Sequence, residues 1–286
     1  MWILWAVTLL WAASFSLIGE FLAGRVDGYL AVFIRMALAL LVFAPLYRWR
    51  RLPLVRQLQL AAIGAIQIGV MYLFLYHAFL YLSVAEVLLF TIFTPLYVVL
   101  IDDVIFNKQH LPLRWWFATA IAVLGAAIIR YETISSDFWF GFALIQAANL
   151  CFAAGQICYK RLPLGDERNQ LHVFAPFFAG AAVITAFAAL WFGNLQLAPQ
   201  TSLHWGILLW LGIVASGLGY FAWNVGAKRV NTAQLATMNN MLIPAGLMIN
   251  FMFWGQNVDW LRLILGALVL SFAVWLASPR RSSRTT

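Results

Sequence analysis

The chain has 286 residues, of which 64% are hydrophobic and 10% charged, and its 18 Lys and Arg against 10 Asp and Glu leave a net charge of +8. Soluble domains carry about 25% charged residues, so this composition excludes a soluble globular protein and defines one that resides in a bilayer. The excess of cations does not point to nucleic acid, because their positions mark membrane topology.

Crossing a hydrocarbon core about 30 Å thick takes roughly 20 helical residues. Apolar runs of that length predict ten spans, near residues 2–22, 29–47, 57–77, 84–104, 113–131, 138–158, 171–193, 204–226, 233–254 and 261–278. The expected fold is therefore an all-α polytopic membrane protein. Met1-Trp2-Ile3 supplies no basic n-region, and the first apolar run is about twice an h-region in length, so it is expected to be a retained helix.

The second span carries Arg35, a cation that costs roughly 2.5–3.5 kcal/mol inside a membrane unless something compensates it. Two readings stand. Asp27 or Glu20 pairs with it at the outer side, or its planar fork receives a substrate carboxylate.

The third span opens an internal repeat. Gly64 to Ala85 recurs without a gap 148 residues later as Gly212 to Ala233, which places Gly64 on Gly212, Gly69 on Gly217 and Tyr72 on Tyr220. With a slip of one residue, Pro95 of the fourth span falls on Pro244 of the ninth, and each proline removes a backbone donor near mid-helix, so a kink is expected in both. Both spans begin with a capping signature, Ser83-x-x-Glu86 and Asn231-x-x-Gln234. The cap explains Glu86 without a proton-carrying role. Asp102-Asp103, near the end of the fourth span, opposes the helix dipole; pairing with Lys108 or Arg114 is the plain account, and a cytoplasmic gate or proton site the alternative.

In the sixth span Gln146, Asn149, Ala153, Gln156 and Lys160 follow steps of three and four, so they share one face. A face so polar either bonds a neighbouring helix or lines a wet cavity. Thr91, Thr94, Asn224, Asn239 and Asn240 add polar groups from other spans, and Tyr72, Tyr76, Tyr220 and Trp223 add aromatic surface with polar handles. Tyr76 and His77, at a span end, also suit an interfacial belt. Cys151 and Cys158 fit no zinc or redox spacing and read as packing residues.

Charge sets the orientation. With the N-terminus inside, the cytoplasmic segments hold 14 cations: Arg48, Arg50, Arg51, Arg56, Lys108, Arg114, Lys160, Arg161, Arg168, Lys228, Arg229, Arg280, Arg281 and Arg284. The outer side holds Arg25, Arg130 and Arg262, so the positive-inside rule places both termini in the cytoplasm. A half with five spans must enter the membrane inverted relative to its twin. The loops agree: the turn at Leu80-Tyr81 has no cation, while its repeat partner is Lys228-Arg229. The expected organisation is a first half over 1–131, an inverted second half over 138–278 and a basic tail over 279–286, with the site where the halves meet.

Ten spans in two inverted halves, Leu10-Trp11-Ala12 in the first span, Arg35 in the second, Pro95 and Pro244, and Trp223-Asn224 before a short turn resemble the drug/metabolite transporter superfamily, of the EamA type. The resemblance covers essentially the whole chain. It departs where the fourth and ninth spans of that family end in Gly-Glu, since the corresponding places here read Asn107-Lys108 and Gly255-Gln256. It implies a secondary transporter of the bacterial inner membrane that exports a small metabolite, with an amino acid or related compound as the expected cargo, by alternating access through a central cavity. Multidrug efflux is the alternative, and a membrane scaffold or enzyme the competing class. Related small multidrug exporters use a glutamate deep in the first span, and that region reads Trp11 to Ser16 here. A neutral, zwitterionic or anionic cargo is expected in consequence.

The expected substrate-binding set is Arg35, Tyr72, Tyr76, Gln146, Asn149, Tyr220, Trp223 and Asn239, with Pro95 and Pro244 as hinges. No catalytic residue, metal or cofactor is expected: the four histidines lie at span ends, and the chain contains no phosphate-binding Gly-x-x-x-x-Gly-Lys loop. The expected partners are a small-molecule substrate and the lipid bilayer, and a monomer suffices.

Overall fold

The computed structural model describes residues 1–108, 117, 120–121, 124, 136–254 and 260–277. Seven of its helices are long and apolar enough to cross a membrane: α1 (Trp2–Leu22), α2 (Gly28–Leu46), α3 (Leu54–Ala78), α4 (Val84–Phe106), α5 (Ser136–Arg161), α6 (Glu167–Phe192) and α7 (Ser202–Lys228). They correspond to the first four and the sixth to eighth expected spans. The ninth and tenth correspond to α8 (Thr232–Trp254) and α9 (Trp260–Ala277). The expected fifth span with Arg114 and Arg130, Gly255-Gln256 and the tail lie outside the described residues, apart from the four isolated positions.

The helices start where their caps predict. Ser83 accepts from the Glu86 amide while the Glu86 carboxylate accepts from the Ser83 amide at 2.8 Å. Asn231 and Gln234 form the same reciprocal pair at 2.8 and 3.1 Å. Between them the two boxes satisfy backbone donors that a helix leaves open at its start. Asp27 caps α2 by accepting from Leu30 N at 2.9 Å.

Large apolar side chains such as Leu41, Leu190, Trp191 and Phe192 stand exposed on the outside, as lipid contact requires. Of these seven, α4 is the most buried, at 83% of its most apolar 18 residues. Around it the packing runs in matched pairs: α1 packs on α8 as α5 packs on α4, and α2 packs on α7 as α6 packs on α3. At the α3–α6 seam the backbones touch, so a Cβ at Gly64 would strike the Phe177 carbonyl and one at Gly180 the Ala61 carbonyl. Small residues permit such close approach where no hydrophobic force distinguishes helix from lipid.

The two stretches that align at an offset of 148 share a local irregularity. α3 widens to a π-helix over Ala65–Val70, and α7 does so over Leu211–Leu218, in each case just before the aligned tyrosine. Such widenings are frequent at functional sites. The two prolines differ in their local setting. α4 breaks into a 3₁₀ turn over Thr91–Phe93, so Pro95 begins a new helical segment where its missing donor is harmless. Pro244 instead sits inside a helix that runs on through it.

Candidate functional site

Six helices enclose a central cavity of about 60 Å³. Its walls come from α1 (Thr8, Trp11, Ser14, Phe15, Ile18), α3 (Met71, Tyr72, Leu75), α4 (Thr91, Thr94), α5 (Ile145, Ala148, Asn149, Phe152), α7 (Tyr220, Trp223) and α8 (Met238, Asn239, Leu242). α2 and α6 pack behind α3 and α7. The 3₁₀ break in α4 turns Thr91 and Thr94 toward this space, and the π-helices of α3 and α7 deliver Tyr72 and Tyr220.

Trp11 organises the aromatic wall. Its Nε1 donates to the Ala215 carbonyl at 2.9 Å, inside the π-helix of α7, and its ring lies 4.6 Å from that of Tyr220 and 5.0 Å from that of Trp223. Phe152 meets Trp11 edge-on at 5.8 Å. Trp223 donates to Gln156 Oε1 at 3.2 Å, which fixes its indole. The polar wall is made of amides. Asn149 Nδ2 donates to the Phe90 carbonyl at 2.9 Å and to Gln146 Oε1 at 3.3 Å. Asn239, 6% exposed, leaves Nδ2 without a partner.

Of the expected binding residues, Tyr72, Asn149, Tyr220, Trp223 and Asn239 line the cavity together. Gln146 stands behind Asn149, accepting from Tyr97 Oη at 3.2 Å. Tyr76 and Arg35 stand behind Tyr72. Arg35 is fully buried; Nη1 donates to Tyr76 Oη at 3.0 Å, Nη2 donates to Ser216 Oγ at 2.9 Å, and Cζ lies 4.0 Å from the Tyr72 ring centre. Its expected pairing with Asp27 or Glu20 is not formed: Asp27 caps α2, and none of the partners of Arg35 is a carboxylate. Asn224 belongs to a helix contact rather than the cavity, bonded to Gln67 at 3.0 Å.

Sequence reasoning marked Trp11 only as a family feature, and passed over Thr8, Ser14, Phe15 and Ile18. Their spacing, 8-11-14/15-18, is a helical face. It went unread because a span apolar all round gives that face no contrast.

Most of the described cations gather at one end of the bundle. Arg48 N donates to the His172 carbonyl, joining the α2–α3 loop to α6, while at the opposite end Asp27 N donates to the Leu197 carbonyl. At the cation-rich end Asp102 accepts from Arg161 Nη2 at 2.6 Å and from Thr232 Oγ1 at 3.0 Å, tying α4, α5 and α8 together. Arg161 is therefore a partner of Asp102 that was not expected; of the two expected partners of the Asp102-Asp103 pair, Arg114 lies outside the described residues. Lys160 donates to the Ala227 and Val230 carbonyls, and Lys228 donates back to the Lys160 and Leu162 carbonyls, so each lysine caps the end of the other's helix. Arg229 pairs with Glu167.

A helical bundle with a small buried cavity, walled by aromatic and amide side chains, is the architecture of a membrane carrier. The EamA-like transporter family model matches residues 1–131 and again 139–278, and the chain belongs to that family, within the drug/metabolite transporter superfamily. It is a multi-span integral membrane transporter of small molecules. It is 47% identical over 271 residues to a biotin transporter of Salmonella typhimurium strain LT2, covering 94% of this chain and 90% of that one. It is 46% identical over 279 residues to a biotin transporter of Escherichia coli strain K12, covering 96% and 93%. A solved crystal structure matches with a TM-score of 0.67 at 16% identity, covering 96% of this chain and 95% of the other, a likeness that establishes the fold alone.

Proposed function

We propose that this protein carries biotin across the bacterial inner membrane, through the central cavity and by alternating access. The observation that carries the reading is the near-half identity, along almost the full length, to two relatives named as biotin transporters. These names favour a vitamin over the amino-acid cargo and over drug efflux. They state no direction of movement.

The cavity supports the same reading chemically. Biotin has a neutral bicyclic head with a ureido group and an apolar thiolane edge. Trp11, Tyr220, Trp223 and Phe152 offer flat apolar surface, and the free Nδ2 of Asn239 offers a donor for the ureido carbonyl. A water molecule needs roughly 10–15 Å³ of such space, so about 60 Å³ holds a few waters and no vitamin. Helices must part to make room for the substrate.

Matched packing pairs, the shared π-helices and a cavity walled by α1 with α5, α3 with α7 and α4 with α8 support two inverted halves, divided near residues 131 and 138. The Thr91–Phe93 break before Pro95 then serves as a hinge beside the cavity, with Pro244 as its weaker counterpart. The cation-rich end is assigned to the cytoplasm by the positive-inside rule. All six walls come from one chain, so a monomer suffices.

Labelled biotin uptake into proteoliposomes holding the purified chain tests the reading. Saturable uptake competed by unlabelled biotin is expected. Uptake no greater than in empty vesicles, while a panel of amino acids is carried, overturns it.

A further inference from the structure

Arg35 lies seven residues beyond Gly28, about 10 Å along α2 at ~1.5 Å per residue. That is deep in the span. A guanidinium does not lose its proton in a protein, so a full positive charge is held inside the membrane, 0% exposed, among neutral partners. Tyr76 and Ser216 each accept one bond, the Tyr72 ring stacks on the charge, and Nε has no partner at all.

A buried cation is normally retained with an anion, because the desolvation it suffers is otherwise uncompensated. Among the described residues no carboxylate reaches Arg35, while a donor remains unused. Tyr72 touches the guanidinium and also lines the cavity, and none of the described residues in its walls is charged. One ring therefore separates an unneutralised cation from the substrate space.

We propose that Arg35 receives the carboxylate of the substrate, with Tyr72 as the movable side chain between them. This rests on the biotin reading, since biotin joins its neutral head to a carboxylate through a flexible alkyl chain. The head occupies the aromatic and amide walls. The carboxylate passes Tyr72 and takes Nε together with one Nη, replacing neutral bonds by a charge-assisted fork. Loading then neutralises the buried charge, which lowers the electrostatic cost of moving α2 and its neighbours.

The test compares labelled biotin with biotinol, its uncharged alcohol analogue, in proteoliposomes holding wild type, Arg35→Lys or Arg35→Gln. Wild type is expected to prefer biotin by roughly tenfold or more, the scale of one hydrogen-bonded charge. Arg35→Gln is expected to bring the ratio within about twofold while still carrying biotinol, and Arg35→Lys, which keeps the charge but not the fork, to fall between. Equal transport of both compounds by wild type, or an undiminished preference in either variant, overturns carboxylate recognition and leaves biotin transport standing. Transport of neither compound by wild type overturns the biotin reading itself, and this proposal with it. If Arg35→Gln does not insert, the wild-type ratio and Arg35→Lys decide alone.

Discussion

Gln67 and Asn224 clasp each other between α3 and α7, the two helices related by the internal repeat. Gln67 Nε2 donates to Asn224 Oδ1 at 3.0 Å, Asn224 Nδ2 returns a longer bond of 3.5 Å, and both side chains are 0% exposed. Deleting one amide strands the other in a dry interior, which costs about 1–3 kcal/mol, whereas removing both leaves nothing unsatisfied. Gln67→Leu alone is expected to lower the melting temperature in detergent, and the double variant with Asn224→Leu to recover most of the loss. Additive losses would mean that the two amides do not act as a pair.

Asn239 presents the opposite case, a buried amide whose Nδ2 has no hydrogen-bond partner among the described residues. An apolar residue of similar size relieves that desolvation. Asn239→Leu is expected to raise stability by about 1 kcal/mol and to weaken biotin uptake. Thermal unfolding and the uptake KM, measured on the same preparation, check both halves of the expectation.

Trp11 shapes the aromatic wall through its ring and anchors it through its indole N–H. Aromatic pairs contribute about 0.5–1.5 kcal/mol beyond burial, so Trp11→Phe is expected to raise the KM for biotin roughly two- to tenfold. Trp11→Ala should do so more severely. Unchanged KM in both variants would remove Trp11 from the substrate wall.

Asp102 and Arg161 latch α4 to α5 at the cation-rich end, with side chains 14% and 38% exposed. A pair so placed contributes about 0.2–1 kcal/mol, enough for a shift of roughly 1.5- to fivefold in an opening equilibrium. In a Cys151→Ser background the remaining Cys158 reports on that end. Asp102→Asn is expected to speed its maleimide labelling by that factor, and adding Arg161→Gln to change it little further.

Glu86 caps α4 through the Ser83 backbone and hydroxyl. A neutral amide serves the same geometry, as Gln234 does at the start of α8. Glu86→Gln is expected to retain uptake under an imposed proton gradient. Loss of uptake in a folded Glu86→Gln variant would restore the carboxylate as a proton carrier.

Much of the site was legible in the residues. Tyr72 and Tyr220 stood out because the repeat aligned them, and Asn149 and Asn239 because an amide inside an apolar run needs a partner or a cavity. Side-chain partners were the least legible. Arg35 was assigned partners near in sequence, Asp27 or Glu20, whereas the structure supplies Tyr76 with Ser216; for Asp102 it adds Arg161 and Thr232 from distant helices. Long side chains in a bundle reach across helices, and sequence distance carries no information about that reach.

By itself the sequence determined that this chain resides in a membrane, where α4 and α8 begin, and that two stretches repeat, because hydropathy, caps and self-similarity are local properties of the chain. Only the tertiary structure decided which faces enclose the cavity, that Trp11 belongs to its wall, and that Arg35 is buried without an anion. The reason is physical. A span such as α1, apolar all round, offers lipid and protein the same surface, so composition cannot say which of its faces turns inward, and that choice is made by packing between helices distant in the chain.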